Sequence, residues 1–303
     1  MIASTSFFEQ WKPIKSIGQG STCEVILAQN NTTKKTEVVK LFNNPEKYDT
    51  AEQEAKLLLS LDHKRILGAK AFYPKMDVPN SNDNRILLQL PAISLEYASN
   101  GDLLGLIQEV GGLPEQVARS YFHQLVDALG YIHSKDICHL DIKPDNILVD
   151  SEYGLKLADF GLSMKVPKDC SVKGAVGTSI YYAPEIHLKA KYSSYSADIF
   201  ALGICLFVMI SGHMPFTAAK STDSMYKLII EERYDEFWNF HQGLKKSKTE
   251  AYSASFRDLL QSMLAFNPKR RLTLEQIKEH EWFQASIASD EKLTELVEAL
   301  FTK

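Results

Sequence analysis

Cysteine is scarce in this chain, and what there is does not pair in sequence. Four cysteines, Cys23, Cys138, Cys170 and Cys205, are spread over 303 residues, and none forms a C-x-x-C pair. A secreted disulfide framework is denser than this, so the pattern fits a reducing compartment. An excess of positive charge is also missing. The formal net charge is −4, which speaks against a surface that coats nucleic acid, because that needs clustered Lys and Arg. Long hydrophobic runs are absent as well. The longest, "IFALGICLFVMI" from Ile199 to Ile210, falls short of the roughly 20 residues that span a bilayer, and we expect it to be a helix buried on all sides. The stretch "MIASTSFFEQWKP" has neither a basic start nor a sustained apolar run, so no signal peptide is visible. There is no internal repeat, no long low-complexity tract and no EF-hand loop. These absences lead us to expect a cytoplasmic or nuclear protein with no membrane and no nucleic-acid partner.

What is present is an ordinary globular composition, 45% hydrophobic and 24% charged, in a chain long enough for two lobes that each bury a core. The first hundred residues read as short strands. "WKPIKSIGQG", "CEVILAQNN" and "TEVVKLF" are followed, after one helix over Asp49 to Leu61, by "ILGAKAFYPKMDV" and "NRILLQLPAISLEYA". "PNSND" marks a turn-rich connection between the last two. From about Gly101 the pattern turns helical. Pro114 opens a helix in which Val117, Tyr121, Leu125 and Ala128 recur at three- and four-residue spacing. Further helices are expected over Ala197–Ile210, Ser224–Glu232, Ser255–Leu264 and Leu274–Glu279. A strand-rich lobe followed by a helix-rich lobe is an α+β arrangement, with a hinge near Tyr97 to Asn100.

Chemistry-bearing residues recur along this frame. Gly18 and Gly20 of "IGQGSTCEV" lie between two strand-like runs, where the lack of a Cβ lets backbone N–H groups approach a phosphate. A strand follows them instead of a helix, so this is not a dinucleotide fingerprint. Lys40 ends the strand "VVK". On the next helix Glu54 shares a face with Ala51, Leu58 and Leu61, and a half-buried carboxylate needs a partner, for which Lys40 is the natural candidate. In "CHLDIKPDNILVD", Asp141, Lys143 and Asn146 sit in a loop that Pro144 keeps from becoming helical. A carboxylate there can orient a hydroxyl or take its proton, an ammonium can offset phosphate charge, and an amide oxygen can ligate Mg²⁺. Asp159 of "LADFGLS" is a second hard oxygen ligand, placed ahead of a glycine. Each piece alone has a structural explanation, since Asn146 could cap a turn and Lys40 could be a solvated strand end.

Taken in order, "GQG…VVK…E…HLDIKPDN…DFG…APE" resembles the eukaryotic protein kinases. The resemblance runs from about Trp11 to Phe283. It includes two motifs remote from any nucleotide: "SADIFALG" with Asp198, and "NPKRRLT", whose Arg271 would pair with Glu185 of "APE". It implies a bilobal protein kinase fold, with a small antiparallel β lobe carrying one main helix (about 11–97) and a large mainly helical lobe (about 98–283). An amphipathic tail over 284–303 follows. It also implies a Ser/Thr protein kinase that uses ATP and Mg²⁺.

By that resemblance, Lys40 would hold the α- and β-phosphates and be positioned by Glu54, with Gly18 and Gly20 folded over the nucleotide. Asp141 would orient or deprotonate the substrate hydroxyl, Lys143 would contact the γ-phosphate, and Asn146 and Asp159 would bind Mg²⁺. Val25, Val38 and Leu148 would sandwich the base. Leu95 resembles the gatekeeper and Glu96 to Ala98 the adenine-binding hinge, with Asp102 near the ribose. Lys143 two residues after Asp141, and Thr178 ahead of "APE", resemble Ser/Thr kinases, and Thr178 is placed with the catalytic set. The texture of the large lobe resembles the calcium/calmodulin-dependent group in its broad sense. Asp102 and Asp145 resemble positions that attract an upstream arginine, which gives a basophilic expectation for the protein substrate.

The chain departs from the family pattern at several points. Cys23 replaces the third glycine of the loop. An extension around Pro79–Asn84 is expected to form a surface hairpin, and "YDEFWNF" within Glu231 to Ser255 is expected to pack on the large lobe. The main departure is Leu140, where the family places an arginine that binds a phosphorylated activation segment. Leucine makes neither guanidinium bond, so we expect loop phosphorylation not to be strictly required. The tail carries Leu293, Leu296, Val297 and Leu300 on one face, with Asp290 and Glu291 at its start. It is acidic, unlike a calmodulin target, and is expected to pack on the large lobe. Two rival classes stand beside the protein kinase reading. A nucleotide-binding pseudokinase or scaffold would be favoured by loss of Lys40, Asp141 or Asp159, and none is lost. A small-molecule kinase is disfavoured by "APE", Arg271 and Asp198.

Overall fold

β-Branched and aromatic residues at alternating positions make the amino-terminal part of the chain a sheet. The computed structural model describes residues 5–79, 87–167, 171–188, 191–244 and 251–302, and the chain divides between Ser99 and Asn100 into two units.

The first unit contains β1 (Thr5–Ser6), α1 (Phe7–Gln10), β2 (Trp11–Gln19), β3 (Cys23–Asn30), β4 (Thr36–Phe42), α2 (Tyr48–Leu59), β5 (Ala69–Pro79) and β6 (Leu87–Leu95). The sheet order is β1-β5-β6-β4-β3-β2. Four of the pairings are antiparallel, as expected. The fifth is not: β1 runs parallel to β5, with Thr5 opposite Met76. The cause is α1, a single turn that carries the chain from one edge of the sheet to the other. Its Phe7 and the following Trp11 bury themselves on one sheet face with Ala28, Val39, Leu41, Met76, Leu90 and Ala92. The Trp11 indole donates to Glu37 at 3.0 Å. Burial pushes the Glu37 carboxyl up, but bonds from Trp11, Lys70 and Asn30 outweigh it and hold the pKa below the usual range. Pro74, inside β5, sits where the β5–β6 register shifts between Tyr73 and Met76, which accommodates its missing N–H. The β5–β6 pair extends to Pro79 opposite Leu87, and the expected hairpin tip beyond Pro79 lies outside the described residues.

Side chains alternate faces along β4, so Val38 and Lys40 lie opposite Val39 and Leu41. The Lys40–Glu54 bond places α2 on the Lys40 face. Residues Ala51, Glu54, Ala55 and Leu58 form the buried stripe of that helix, which starts and ends close to its expected bounds.

The second unit is mainly helical. It runs α3 (Leu103–Val110), α4 (Glu115–Ser134), β7 (Ile137–Cys138), β8 (Ile147–Val149), β9 (Leu155–Leu157), β10 (Met164–Lys165), β11 (Ser171–Lys173), α5 (Pro184–His187), β12 (Lys191–Ser193), α6 (Ser194–Ser211), α7 (Ser224–Ile230), α8 (Tyr234–Leu244), α9 (Ala254–Met263), α10 (Leu274–Glu279), α11 (Glu281–Gln284) and α12 (Asp290–Glu298). The expected helices are all present, with ends shifted by a few residues. Pro114 stands one position outside α4, as its N-cap. The apolar run lies in α6, whose residues from Ala197 to Ser211 are all buried. Such all-round burial makes α6 the centre of this unit's core. Among the described residues the strands here form three two-stranded ladders: β7 with β10, β8 with β9, and β11 with β12.

The "YDEFWNF" cluster packs inward, as expected: Phe237, Trp238 and His241 of α8 are buried. The His241 ring lies 4.8 Å from Phe207, 4.4 Å from Phe237 and 5.2 Å from His213, the last stacked. Burial and then the neighbouring His213 push the His241 pKa down to about 4. The unfolded chain therefore takes up a proton near pH 6.5 that the folded chain refuses until about pH 4, so stability is lost as pH falls through that window. We predict that urea denaturation at pH 7 and pH 4.5 shows a smaller acid loss in His241→Phe, by about 2–3 kcal/mol. Equal losses in both proteins would show that His241 is not the group responsible.

Candidate active site

The loop after β7 carries its chemistry because one buried carboxylate fixes its backbone. Asp198, 1% exposed in α6, accepts the His139 N–H at 2.9 Å, the Leu140 N–H at 2.8 Å and the His133 Nε2–H at 3.0 Å. The Leu140 backbone is held at φ 66, a left-handed conformation that a branched side chain adopts only under constraint. His139 is fully buried: its Nδ1 accepts the Asp141 N–H at 3.3 Å and its Nε2–H donates to the Ala158 carbonyl at 3.0 Å. Burial lowers its pKa, in keeping with the neutral tautomer that this bonding requires. Its ring packs edge-on to Phe160 at 4.9 Å.

This frame aims Asp141 into a polar cluster. One carboxylate oxygen accepts the Thr178 N–H and the Thr178 hydroxyl, both at 2.8 Å. The other receives Asn146 Nδ2 at 2.9 Å and Lys143 Nζ at 2.9 Å. Lys143 also donates to the Thr178 hydroxyl at 2.7 Å. Asn146 Nδ2 gives a further bond to the Asp141 carbonyl at 2.8 Å, so the NH₂ end faces Asp141 and the carbonyl oxygen is the end turned away. The Asn146 main-chain oxygen accepts the Ala158 N–H at 2.8 Å, which sets Asp159 one residue from that contact. Asp159 is exposed, with φ 57, ahead of the buried Phe160. An amide oxygen and a solvent-facing carboxylate are hard donors of the kind Mg²⁺ takes alongside phosphate and water, so the residues present fit a divalent cation.

Two residues of this frame were given no role from the sequence. His139 appeared only as a letter inside the loop, and nothing in its spacing marks its double hydrogen bond. Gly177, ahead of Thr178, adopts φ +100, and a Cβ there would run into the Leu140 carbonyl oxygen and approach Asp141 Oδ1 to 3.2 Å. Asp198 was singled out for its place in "SADIFALG", but its grip on the loop backbone is visible only in three dimensions. The Glu185–Arg271 pair is present as expected, with two contacts of 2.6 Å.

The remaining predicted residues lie in or beside the sheet of the first unit, apart from Asp102 and Leu148. Lys40 Nζ stands 2.7 Å from Glu54 Oε1. Gly18 is opposite Val25, Val25 opposite Lys40, and Val38 opposite Leu95. Gly20 N–H donates to the Cys23 carbonyl at 2.9 Å, closing the turn between β2 and β3. Glu96 is tied to Gly68, donating its N–H to the Gly68 carbonyl at 2.9 Å and accepting the Gly68 N–H at 2.7 Å. Ala98 is buried. In the second unit Asp102 caps α3 through the Gly105 N–H at 2.8 Å and forms an isolated bridge with Leu148.

The first unit thus carries a glycine-bearing turn between two strands and an ion-paired strand lysine, and the second a carboxylate–lysine–amide loop. The protein kinase domain model matches residues 11–283, and the chain belongs to the protein kinase family. It is 30% identical over 289 residues to CBL-interacting protein kinase 11 of Oryza sativa subsp. japonica, covering 93% of this chain and 53% of that protein. It is 30% identical over 303 residues to the serine/threonine-protein kinase grp of Drosophila melanogaster, covering 98% and 55%. With the carbon catabolite-derepressing protein kinase of Secale cereale it shares 31% identity over 284 residues, covering 89% and 50%. The chain thus spans about half the length of these relatives.

Gly177 gives a direct test of the loop geometry. Gly174 has a similar φ of +103 but nothing within 4 Å of an added Cβ. Gly174→Ala is expected to cost only the backbone term, about 1 kcal/mol, whereas Gly177→Ala adds the clash and costs about 3 kcal/mol. Urea denaturation of the two variants measures both, and equal losses would contradict the close approach to Leu140.

Proposed function

We propose that this chain transfers the γ-phosphoryl group of ATP to serine or threonine hydroxyls of proteins, and does so without a phosphorylated activation segment. The observation that carries this is the Asp141 carboxylate, held at once by Thr178, Lys143 and Asn146. A carboxylate so fixed is ready to orient an incoming hydroxyl and accept its proton. Lys143 places a positive charge 2.9 Å from that carboxylate, where it offsets charge on the transferred group. Asn146, through its outward amide oxygen, and Asp159 would hold Mg²⁺, which when bound neutralises phosphate charge. Lys40, steadied by Glu54, binds the remaining phosphates, and Gly18 and Gly20 let the backbone approach them. Val25, Val38, Leu95 and Ala98 of the first unit supply apolar surface for the base.

The regulatory part of the proposal rests on what replaces the guanidinium clamp. The Leu140 side chain is buried and has no hydrogen-bonding group, so a phosphate would find no partner there. The segment that follows Asp159 is held by backbone pairing instead. β10 pairs with β7, and β11 pairs with β12, with Val172 opposite Tyr192 and both buried. Phosphatase-treated protein is expected to turn over MgATP and a Ser/Thr peptide library at roughly 1–100 per second. Asp141→Asn should be slower by about 10²–10⁴-fold. No transfer above that variant would sink the proposal in favour of a nucleotide-binding scaffold.

Substrate choice follows from charge. Asp145 is exposed on the loop beside α3, and Asp102 lies at that helix's N-cap. Two carboxylates there favour an arginine upstream of the acceptor. A positional peptide array should show that enrichment, weakened in Asp145→Asn, which keeps the cap intact. An array with no basic preference in the parent protein rules the assignment out.

A further inference from the structure

The β8–β9 hairpin carries both proposed cation ligands, Asn146 at one foot and Asp159 just past the other. It consists of two strands of three residues each, which alone pair too weakly to fix two side chains. Octahedral Mg²⁺ tolerates little misplacement of its ligands. Asn100 and Gly101 pair with Val149, and Asn100 Nδ2 bonds the Asp150 carbonyl at 2.8 Å, which holds β8; the tail adds support at three further places. Thr294 Oγ1 donates to the Glu152 carbonyl at the hairpin tip, at 2.7 Å. The Phe301 ring lies 6.3 Å from that of Tyr153, a tip residue held at φ 56. The third contact runs through Gln124 of α4, which is buried. Its Oε1 accepts the Leu155 N–H of β9 at 2.8 Å, and its Nε2 reaches Asp290 at the start of α12 at 3.4 Å.

The tail's seat is specified along one face of α4. Arg119 donates to the Ser286 carbonyl at 3.3 Å, Ser120 Oγ accepts the Ala288 N–H at 3.0 Å, and His123 donates to the Phe283 carbonyl at 2.7 Å. Leu293 and Val297 of α12 are fully buried. We propose that residues 286–302 are a built-in brace whose docking, through Gln124 and Thr294, positions the Asn146–Asp159 pair for its cation. Gln124 and Thr294 are positioning residues; neither reaches the reacting groups. The brace rests on the phosphotransferase reading for its effect on turnover, but not for its effect on the hairpin.

The test uses the full chain with two variants. Leu293→Asp/Val297→Asp expels the tail, and Thr294→Val removes the hydroxyl that bonds the tip and the Asp290 carbonyl of its own helix. Three readouts apply: amide exchange across 150–157, the Mg²⁺ concentration that half-saturates ADP binding by calorimetry, and the same for turnover. With the tail expelled, hairpin exchange is expected to accelerate, and the Mg²⁺ requirement to rise about tenfold, as for loss of an outer-shell support. The KM for peptide should stay unchanged. Thr294→Val should shift exchange and Mg²⁺ requirement the same way by less, and it decides the matter if the double variant does not fold. Free exchange of 286–302 with an unchanged Mg²⁺ requirement overturns the brace. Absence of turnover in the parent chain overturns the phosphotransferase reading instead, while exchange and ADP binding still report on the hairpin.

Discussion

The Asp198 carboxylate is the constraint on which the catalytic loop depends. A buried charge of this kind costs several kcal/mol unless its lone pairs are satisfied. Here two consecutive backbone N–H groups and a histidine satisfy them. The reverse dependence matters more. Leu140 sits in a left-handed conformation that costs a residue of its kind about 1–3 kcal/mol, and the bond from its N–H to Asp198 holds it there. With Leu140 so turned, Asp141 faces Thr178, Lys143 and Asn146, and Gly177 must be glycine because the Leu140 carbonyl fills the space a Cβ would need.

Much of this was legible in the sequence, and for physical reasons. Apolar residues at helical spacing marked α4 and α6, and alternation with turn residues marked the strands, so the α+β class and its two parts could be read directly. The family could also be read from the order of the motifs, and the protein kinase domain model covers the same residues, 11–283. Glu54 was matched to Lys40 from its place on a half-buried helix face, and the two are bonded.

What escaped was long-range or carried by the backbone. The residues ahead of Trp11 were given no element from the sequence, yet Thr5–Ser6 add a parallel strand at the far edge of the sheet. Nothing local in two residues of strand announces that. His139 and Gly177 escaped because their roles depend on carbonyl groups, Ala158 and Leu140, that have no sequence signature. Gln124 was given no role from the sequence, and its two bonds join elements 31 and 166 residues away along the chain.

Leu140 connects these features. In the family pattern an arginine there couples loop geometry to a phosphate; in this chain the geometry is set from below, by Asp198, and the segment beyond is set by backbone ladders. The most direct test is the amide exchange of His139 and Leu140 in phosphatase-treated protein compared with protein carrying whatever phosphate it acquires on expression. If Asp198 alone holds the loop, both amides exchange equally slowly in the two samples. Faster exchange after phosphate removal would contradict the account, because it would mean that a phosphate still sets the loop despite the missing arginine.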